Sequence, residues 1–329
     1  MRILVTGGAG YIGSITTRTL LDRGHEVVVL DTLENGNRWA VDERATFFEG
    51  SVGDREIVSQ ALEGAEAVMH LAGYIEVGES MKNPEKYFHN NVDNGRILLD
   101  CMEDKGVSKL VFSSTAAVYG QPKVVPLLED AELKPINPYG ESKLRFEQMI
   151  DERAQSGLCA IRFRYFNVAG AWPDGSLGEA HHPETHIIPN FLRALLNGES
   201  IRIFGDAYQT VDGTCVRDYI HVCDLAHAHV MALEALGKDE IGGIYNLGNG
   251  TGFSNLQIAQ TCARRVGLSD EEVSNRIIIE GPREGDPAVL IASSAKARER
   301  FGWEPQYADI SEIVDHALAW HTQHDKKVL

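Results

Sequence analysis

At 329 residues, 43% hydrophobic and 24% charged, the chain has the balance of an ordinary globular protein with room for a large core. Its 31 basic against 48 acidic residues give a net charge of −17, which excludes general nucleic-acid binding and an anionic membrane partner. The five cysteines form no Cys-x-x-Cys pair, so reduced thiols are expected rather than a disulfide framework or a cysteine zinc site.

The chain passes from Met1 straight into Arg2-Ile-Leu-Val5. That apolar run is too short for a signal peptide or a membrane span and reads as a buried strand. Thr6-Gly-Gly-Ala-Gly-Tyr-Ile-Gly13 follows; Gly8, Gly10 and Gly13 fit G-x-G-x-x-G, and Gly7, Gly10 and Gly13 fit G-x-x-G-x-x-G. Ile12, Ile15, Thr19 and Leu20 continue at helical spacing, with Gly24 suited to the helix end. Glu26-Val-Val-Val-Leu-Asp31 reads as the second strand and ends in an acid about 20 residues after the glycines. Glycines let a backbone approach a pyrophosphate, a helix N-terminus attracts its charge, and the acid takes ribose hydroxyls. A dinucleotide site is therefore expected here. Asp31 would repel a 2′-phosphate, which favours NAD over NADP.

Strands are expected at Thr46–Phe48, Ala67–Leu71, Lys109–Phe112 and Ala160–Phe166, alternating with helices near 54–62, 84–104 and 138–155. This alternation predicts an α/β fold, a Rossmann-like doubly wound parallel sheet occupying residues 1–170. Ala72, Gly73, Ser113 to Thr115 and Asn167 fall just past strand ends, where such sheets bind ligands. From residue 171 the texture changes to a polar loop running to Thr185. A smaller C-terminal α/β substrate domain, 171–329, is expected to pack against the first, with some segments returning to it. It reads as a helix at 187–197, a strand at 200–205 and a loop rich in Asp, Thr and Gly at 206–222. Then come a helix at 221–236, a strand at 243–248, a helix at 255–266, a strand at 276–280 and an amphipathic tail helix at 310–321.

Pro138 precedes Tyr139-Gly-Glu-Ser-Lys143 and suits the first position of a helix. Residues four apart then share a face, so the Lys143 cation is expected to lower the Tyr139 phenol pKa and fit it for acid/base work. The plain alternative is a helix start with a surface lysine. Ser113, Ser114 and Thr115 can cap a turn or relay a proton. Arg217 and Arg283 read equally as phosphate forks or as salt-bridge partners of Asp218 and Asp286. His181, His182 and His186 invite a metal, but none is expected, because paired spacing, carboxylates and cysteines are not apparent in their loop.

Taken together, the glycine turn, Val77-Gly-Glu-Ser80, Phe112-Ser-Ser-Thr-Ala-Ala-Val-Tyr-Gly120, Tyr139-x-x-x-Lys143, Arg164-Tyr-Phe-Asn167, Ile203-Phe-Gly205, Asp212-Gly-Thr214 with Arg217-Asp-Tyr-Ile-His-Val222, Tyr245-Asn-Leu-Gly248 and Arg283-Glu-Gly-Asp286 form a pattern. From Met1 to about Trp303 the chain resembles the extended short-chain dehydrogenase/reductases, and within them the UDP-glucose 4-epimerase family. The glycine turn and the Tyr/Lys pair belong to the whole superfamily; the segments around Arg217 and Arg283 belong to the 4-epimerase-like enzymes.

The resemblance implies reversible epimerisation at C4 of a UDP-hexose by transient hydride transfer to tightly bound NAD, in a cytoplasmic homodimer. Tyr139 would be the base, Thr115 the relay and Lys143 the group that holds the nicotinamide ribose. It assigns NAD contacts to Gly7, Gly10, Tyr11, Ile12, Gly13, Asp31, Asn35, Ser51, Val52, Leu71, Ala72, Gly73, Asn90 and Phe166. It assigns UDP-sugar contacts to Asn167, His186, Ile187, Ile203, Phe204, Arg217, Arg283, Asp286 and Leu290. Ser51 departs from the family's Asp at an adenine contact, Ile75 from a polar or basic residue, and Ile15 from a His. Leu290 stands at a position whose bulk affects N-acetylated sugars. Related epimerases of UDP-N-acetylglucosamine or UDP-glucuronate are the nearest alternatives. A dehydratase is disfavoured, because Ala116 and Ala117 follow Thr115 where that chemistry needs an acid pair. A non-catalytic NAD-binding sensor is disfavoured by the Tyr139/Lys143 pair itself.

Overall fold

The computed structural model describes residues 1–239, 242–283 and 286–324. Arg2–Thr6 (β1), Glu26–Asp31 (β2), Thr46–Glu49 (β3), Ala67–His70 (β4), Lys109–Thr115 (β5) and Cys159–Tyr165 (β6) are parallel strands of one sheet. β1 and β2 read as unbroken apolar runs because both faces are covered; Ile3 to Val5 and Val27 to Leu30 are at most 1% exposed. Successive side chains point to opposite layers. Ile3, Val5, Val27, Val29 and Met69 share one core, and Leu4, Val28, Leu30, Val68 and Leu110 share the other.

Helix Tyr11–Asp22 (α1) contributes Leu20 to the first core. Arg55–Ala61 (α2), capped by the Asp54 carboxylate on two backbone N–H groups, packs on the second. The helix expected at 84–104 is divided. Val77–Lys82 (α3) and Pro84–Phe88 (α4) precede a wide turn at His89–Asp93, and Asn94–Asp104 (α5) follows. The extra residue in that turn rotates Asn91 inward, where it bonds the loop after β4. Pro138–Ala154 (α6) is a continuous helix capped by Asn137, with Phe146 and Ile150 in the second core.

The chain continues with Asn167–Ala169 (β7), Ile187–Leu196 (α7), Ile201–Phe204 (β8), Val216–His221 (β9), Val222–Asp239 (α8), Gly243–Leu247 (β10), Gly252–Ser254 (β11), Asn255–Arg265 (α9), Asp270–Ser274 (α10), Ile277–Glu280 (β12), Val289–Leu290 (β13), Ala295–Phe301 (α11) and Ile310–His324 (α12); α8, β10 and α11 join the first core, while α7, β8, α9 and α12 build a second lobe. β10 returns to the first sheet beside β6, pairing Leu247 with Tyr165. The sheet order is therefore β3-β2-β1-β4-β5-β6-β10, and the winding reverses between β1 and β4, where the ligand crevice of such sheets opens.

Arg217 was expected in a loop; it lies on β9. Val216, Tyr219 and Ile220 favour extended structure, and β7, β11 and β13 all pair with this strand. The core of this lobe joins Leu192, Ile201, Ile203, Tyr219, Ile258 and Ile313. Among the described residues no helix is long and apolar enough to cross a membrane.

Candidate active site

The glycine turn closes against the loop after β4 at the reversal point. A Cβ on Gly7, whose φ is +74°, would stand 2.6 Å from the Ala72 backbone nitrogen, and one on Gly13 would stand 2.0 Å from the Gly7 carbonyl oxygen. Glycine is therefore the residue that lets three backbone segments meet here. Gly10 caps α1 without a side-chain bond, and the first turn of α1 carries no acid. Its N–H groups are left for an anion, so the cradle fits a dinucleotide pyrophosphate.

Asp31 ends β2 beside this turn. Its Oδ2 accepts from the Ala9 N–H at 3.0 Å and its Oδ1 from the Leu33 N–H at 2.9 Å, which fixes the carboxylate at the mouth of the cradle. Asn35 is exposed in the following loop. Tyr11 is buried and donates to the Gly170 carbonyl at 2.6 Å, so its hydroxyl ties α1 to the second lobe. Ile12, Leu71 and Ala72 pack partly buried against the sheet cores, and Val52 is buried in the second. Ser51 accepts from the Gly53 N–H at 3.0 Å and acts locally as a turn cap. Asn90 lies in the wide turn, but its neighbour Asn91 is the organiser. Asn91 accepts from the Tyr74 N–H at 3.0 Å and donates to the Ser142 hydroxyl at 3.0 Å. Nothing in the local sequence distinguishes the two asparagines; only the turn's width does.

Thr115 ends β5, and Tyr139 and Lys143 lie one turn apart on α6. Thr115 accepts from the Ala117 N–H at 3.1 Å, and its hydroxyl faces the Tyr139 phenol. Burial pushes the Tyr139 phenol above its ordinary value and the Thr115 hydrogen bond draws it partly back. This corrects the expectation that Lys143 sets the phenol. The Lys143 ammonium instead donates to the Ser113 carbonyl at 3.0 Å, beside Gly73 and 5.0 Å above the Phe112 ring. Burial lowers its pKa to about 8. His70, behind it, is lowered to about 3 by burial and by the Lys143 charge, and so stays neutral.

Sequence reasoning missed the buried ion pair that braces these groups. Arg164 meets Glu147 at 2.6 and 3.0 Å, with side chains 1% and 2% exposed. Ser114 donates to the same carboxylate, and Arg164 reaches the Tyr119 oxygen at 3.0 Å. The Tyr119 hydroxyl in turn donates to Asn246 at 2.6 Å, joining β5, β6, β10 and α6.

Across the crevice, Arg217 pairs with Asp286, and Arg283 stacks 4.0 Å from the Phe204 ring centroid. Asp218 has another role. It accepts from the backbone N–H groups of Asn249, Gly250 and Ala292, while burial raises its pKa to about 6. Glu284 and Gly285, inside the Arg283 motif, lie outside the described residues. Leu290 on β13 pairs in register with Arg217, and it packs against the cluster that buries Phe166. Asn167 opens β7 in register with Tyr219. Ile203 does not face the crevice. Alternation along β8 sends Ile201 and Ile203 into the lobe core and leaves Phe204 outward, so the Ile203 side chain packs in that core.

His186 and Ile187 begin α7, but the His186 ring bonds Glu179. The 171–185 loop carries carboxylates at Asp174, Glu179 and Glu184, and the fold brings the two glutamates to His181 and His186. Burial opposes ionisation of Glu179, yet the charges and hydrogen bonds of His186 and His181 hold it down at about 2.

A model of the NAD dependent epimerase/dehydratase family matches residues 3–248. The chain is 49% identical over 329 residues to the UDP-glucose 4-epimerase of Lacticaseibacillus casei, with 98% of each covered. It superposes with TM-score 0.92 and 40% identity on a UDP-glucose 4-epimerase from Brucella ovis solved in complex with NAD, covering 96% of this chain and 97% of that one. The Bifidobacterium longum UDP-glucose 4-epimerase, in complex with NAD+ and UDP, superposes with TM-score 0.92 at 32% identity and 99% coverage of both chains. With a family model spanning more than half its length and relatives this similar end to end, the chain belongs to the NAD dependent epimerase/dehydratase family.

Proposed function

We propose that this chain interconverts UDP-galactose and UDP-glucose by inverting C4 of the sugar, a step of galactose metabolism. The observation that carries the reading is the convergence of Thr115, the buried Tyr139 phenol and the buried Lys143 ammonium beside the glycine cradle. Bound NAD would take hydride from C4 and return it to the other face of the 4-keto sugar. Tyr139, through Thr115, removes the 4-OH proton and gives it back. Lys143 stands at the crevice floor as a charged donor toward the cofactor ribose. Arg217 and Arg283 hold the diphosphate, leaving the sugar unclamped and able to turn between the two transfers.

The residues divide at about 170 into a cofactor domain, to which β10 returns, and a UDP-sugar domain. The chain works as a cytoplasmic homodimer; none of its five cysteines forms a disulfide, which fits a reducing compartment. Purified protein is expected to convert UDP-galactose to UDP-glucose without added NAD. Folded, NAD-containing protein that turns over neither sugar would overturn the reading. UDP-N-acetylglucosamine run in parallel reports what Leu290 admits.

A further inference from the structure

Glu179, His181, Glu184 and His186 come from one short loop, and one ligand atom from each lies within 4.8 Å of all the others. His181 Nδ1 stands 3.0 Å from Glu179 Oε1 and 3.9 Å from Glu184 Oε1. His186 Nδ1 meets the same Glu179 oxygen and is 4.0 Å from Glu184 Oε1. The two carboxylates are 4% and 2% exposed. Glu184 Oε1 accepts from the backbone N–H groups of Thr185 and His186 at 2.8 and 2.9 Å. Glu184 Oε2 is buried and has no hydrogen-bond partner. A buried carboxylate oxygen left so is costly, and native structures rarely keep one without a ligand.

We propose that these four side chains form a zinc-type divalent-cation site that fastens the loop before α7. Once the two imidazoles release the protons they now share with Glu179, two carboxylates balance one dication, and nitrogen and oxygen donors without thiolate suit Zn²⁺. Donors about 2.1 Å from zinc stand roughly 3.4 Å apart at tetrahedral angles, so small side-chain movements convert the present spacing into coordination. The cation would draw Glu184 Oε2 or Oε1 inward and part His186 from Glu179. The loop would then be locked beside Tyr11, whose ring lies edge-on to His181 at 6.3 Å. His182 is not part of the cluster.

The test uses the NAD-containing holoenzyme, stripped with EDTA and titrated calorimetrically with ZnCl₂. One equivalent per chain is expected, with a raised melting temperature. Glu184→Gln and His181→Gln, checked for native circular dichroism and NAD content, are expected to weaken binding at least tenfold. Co²⁺ bound to the unmutated protein is expected to give the intense visible absorption of a tetrahedral ion, a readout independent of any variant. No stoichiometric Zn²⁺ uptake, or uptake equal in wild type and both variants, would refute the site.

Discussion

Replacing Lys143 by Met tests the energetics of the crevice floor. The ammonium is 2% exposed and donates to the Ser113 carbonyl at 3.0 Å. Burial lowers its pKa from 10.5 to about 8, a difference of roughly 3 kcal/mol between charged and neutral lysine. The folded pKa lies below the unfolded one, so between these values the unfolded chain binds more protons and stability rises with pH. The destabilisation is fully present below pH 8 and has vanished above pH 10.5. About 2 kcal/mol of it remains at pH 9. Lys143→Met removes the titrating group. Its stability advantage over wild type should therefore shrink by about 1 kcal/mol between pH 7 and pH 9. Urea unfolding of NAD-free wild type and variant at both pH values measures this directly. Parallel behaviour, with the difference constant to within ~0.3 kcal/mol, would show that the ammonium is not desolvated as argued.

Tyr139→Phe keeps the cradle and should retain NAD, measured by absorbance of the purified protein, while kcat falls by about 10²–10⁴; near-normal turnover would remove Tyr139 from proton transfer. Glu147→Gln leaves Arg164 buried without its counter-ion and should cost ~3–5 kcal/mol in urea unfolding. Pairing Arg164→Met with Glu147→Leu should recover part of that loss, because the stranded charge is gone.

The cofactor side was legible because its signals are local. Gly7, Gly10 and Gly13, the apolar β1 and β2 runs and Asp31 lie within one strand–turn–helix–strand unit, and spacing alone orders them. Pro138 and Asn137 likewise mark the start of α6, so Tyr139 and Lys143 fall on one face. What escaped depends on long-range partners. Glu147 and Arg164 sit 17 residues apart on α6 and β6, and only sheet packing joins them. β9 is masked by the Asp-, Thr- and Gly-rich stretch that leads into it, and its strand is fixed by pairing with β7, β11 and β13. Ile203 has a motif neighbour in Phe204 but the opposite strand face. The Tyr139 phenol was misjudged because helix spacing specifies a shared face, not where the Lys143 amine finds its acceptor.

The two walls of the crevice follow different physical rules. On the cofactor wall every position is over-determined. Gly7 touches Ala72, Asn91 holds Tyr74, and Glu147 with Arg164 braces the strand that carries Thr115. Burial keeps His70 neutral, so Lys143 is the charge in that pocket, and a second cation there would add repulsion in a poorly screened interior. On the opposite wall the charges stand on strand and loop ends. Arg217 is paired with Asp286, and Arg283 rests on an aromatic face rather than deep in a core. An incoming diphosphate can compete for those guanidinium donors at modest cost, because they are already charged and aligned. Rigidity beside the reacting carbon and exchangeable pairing at the nucleotide are what a reaction needs when it holds the handle of a molecule and turns the rest.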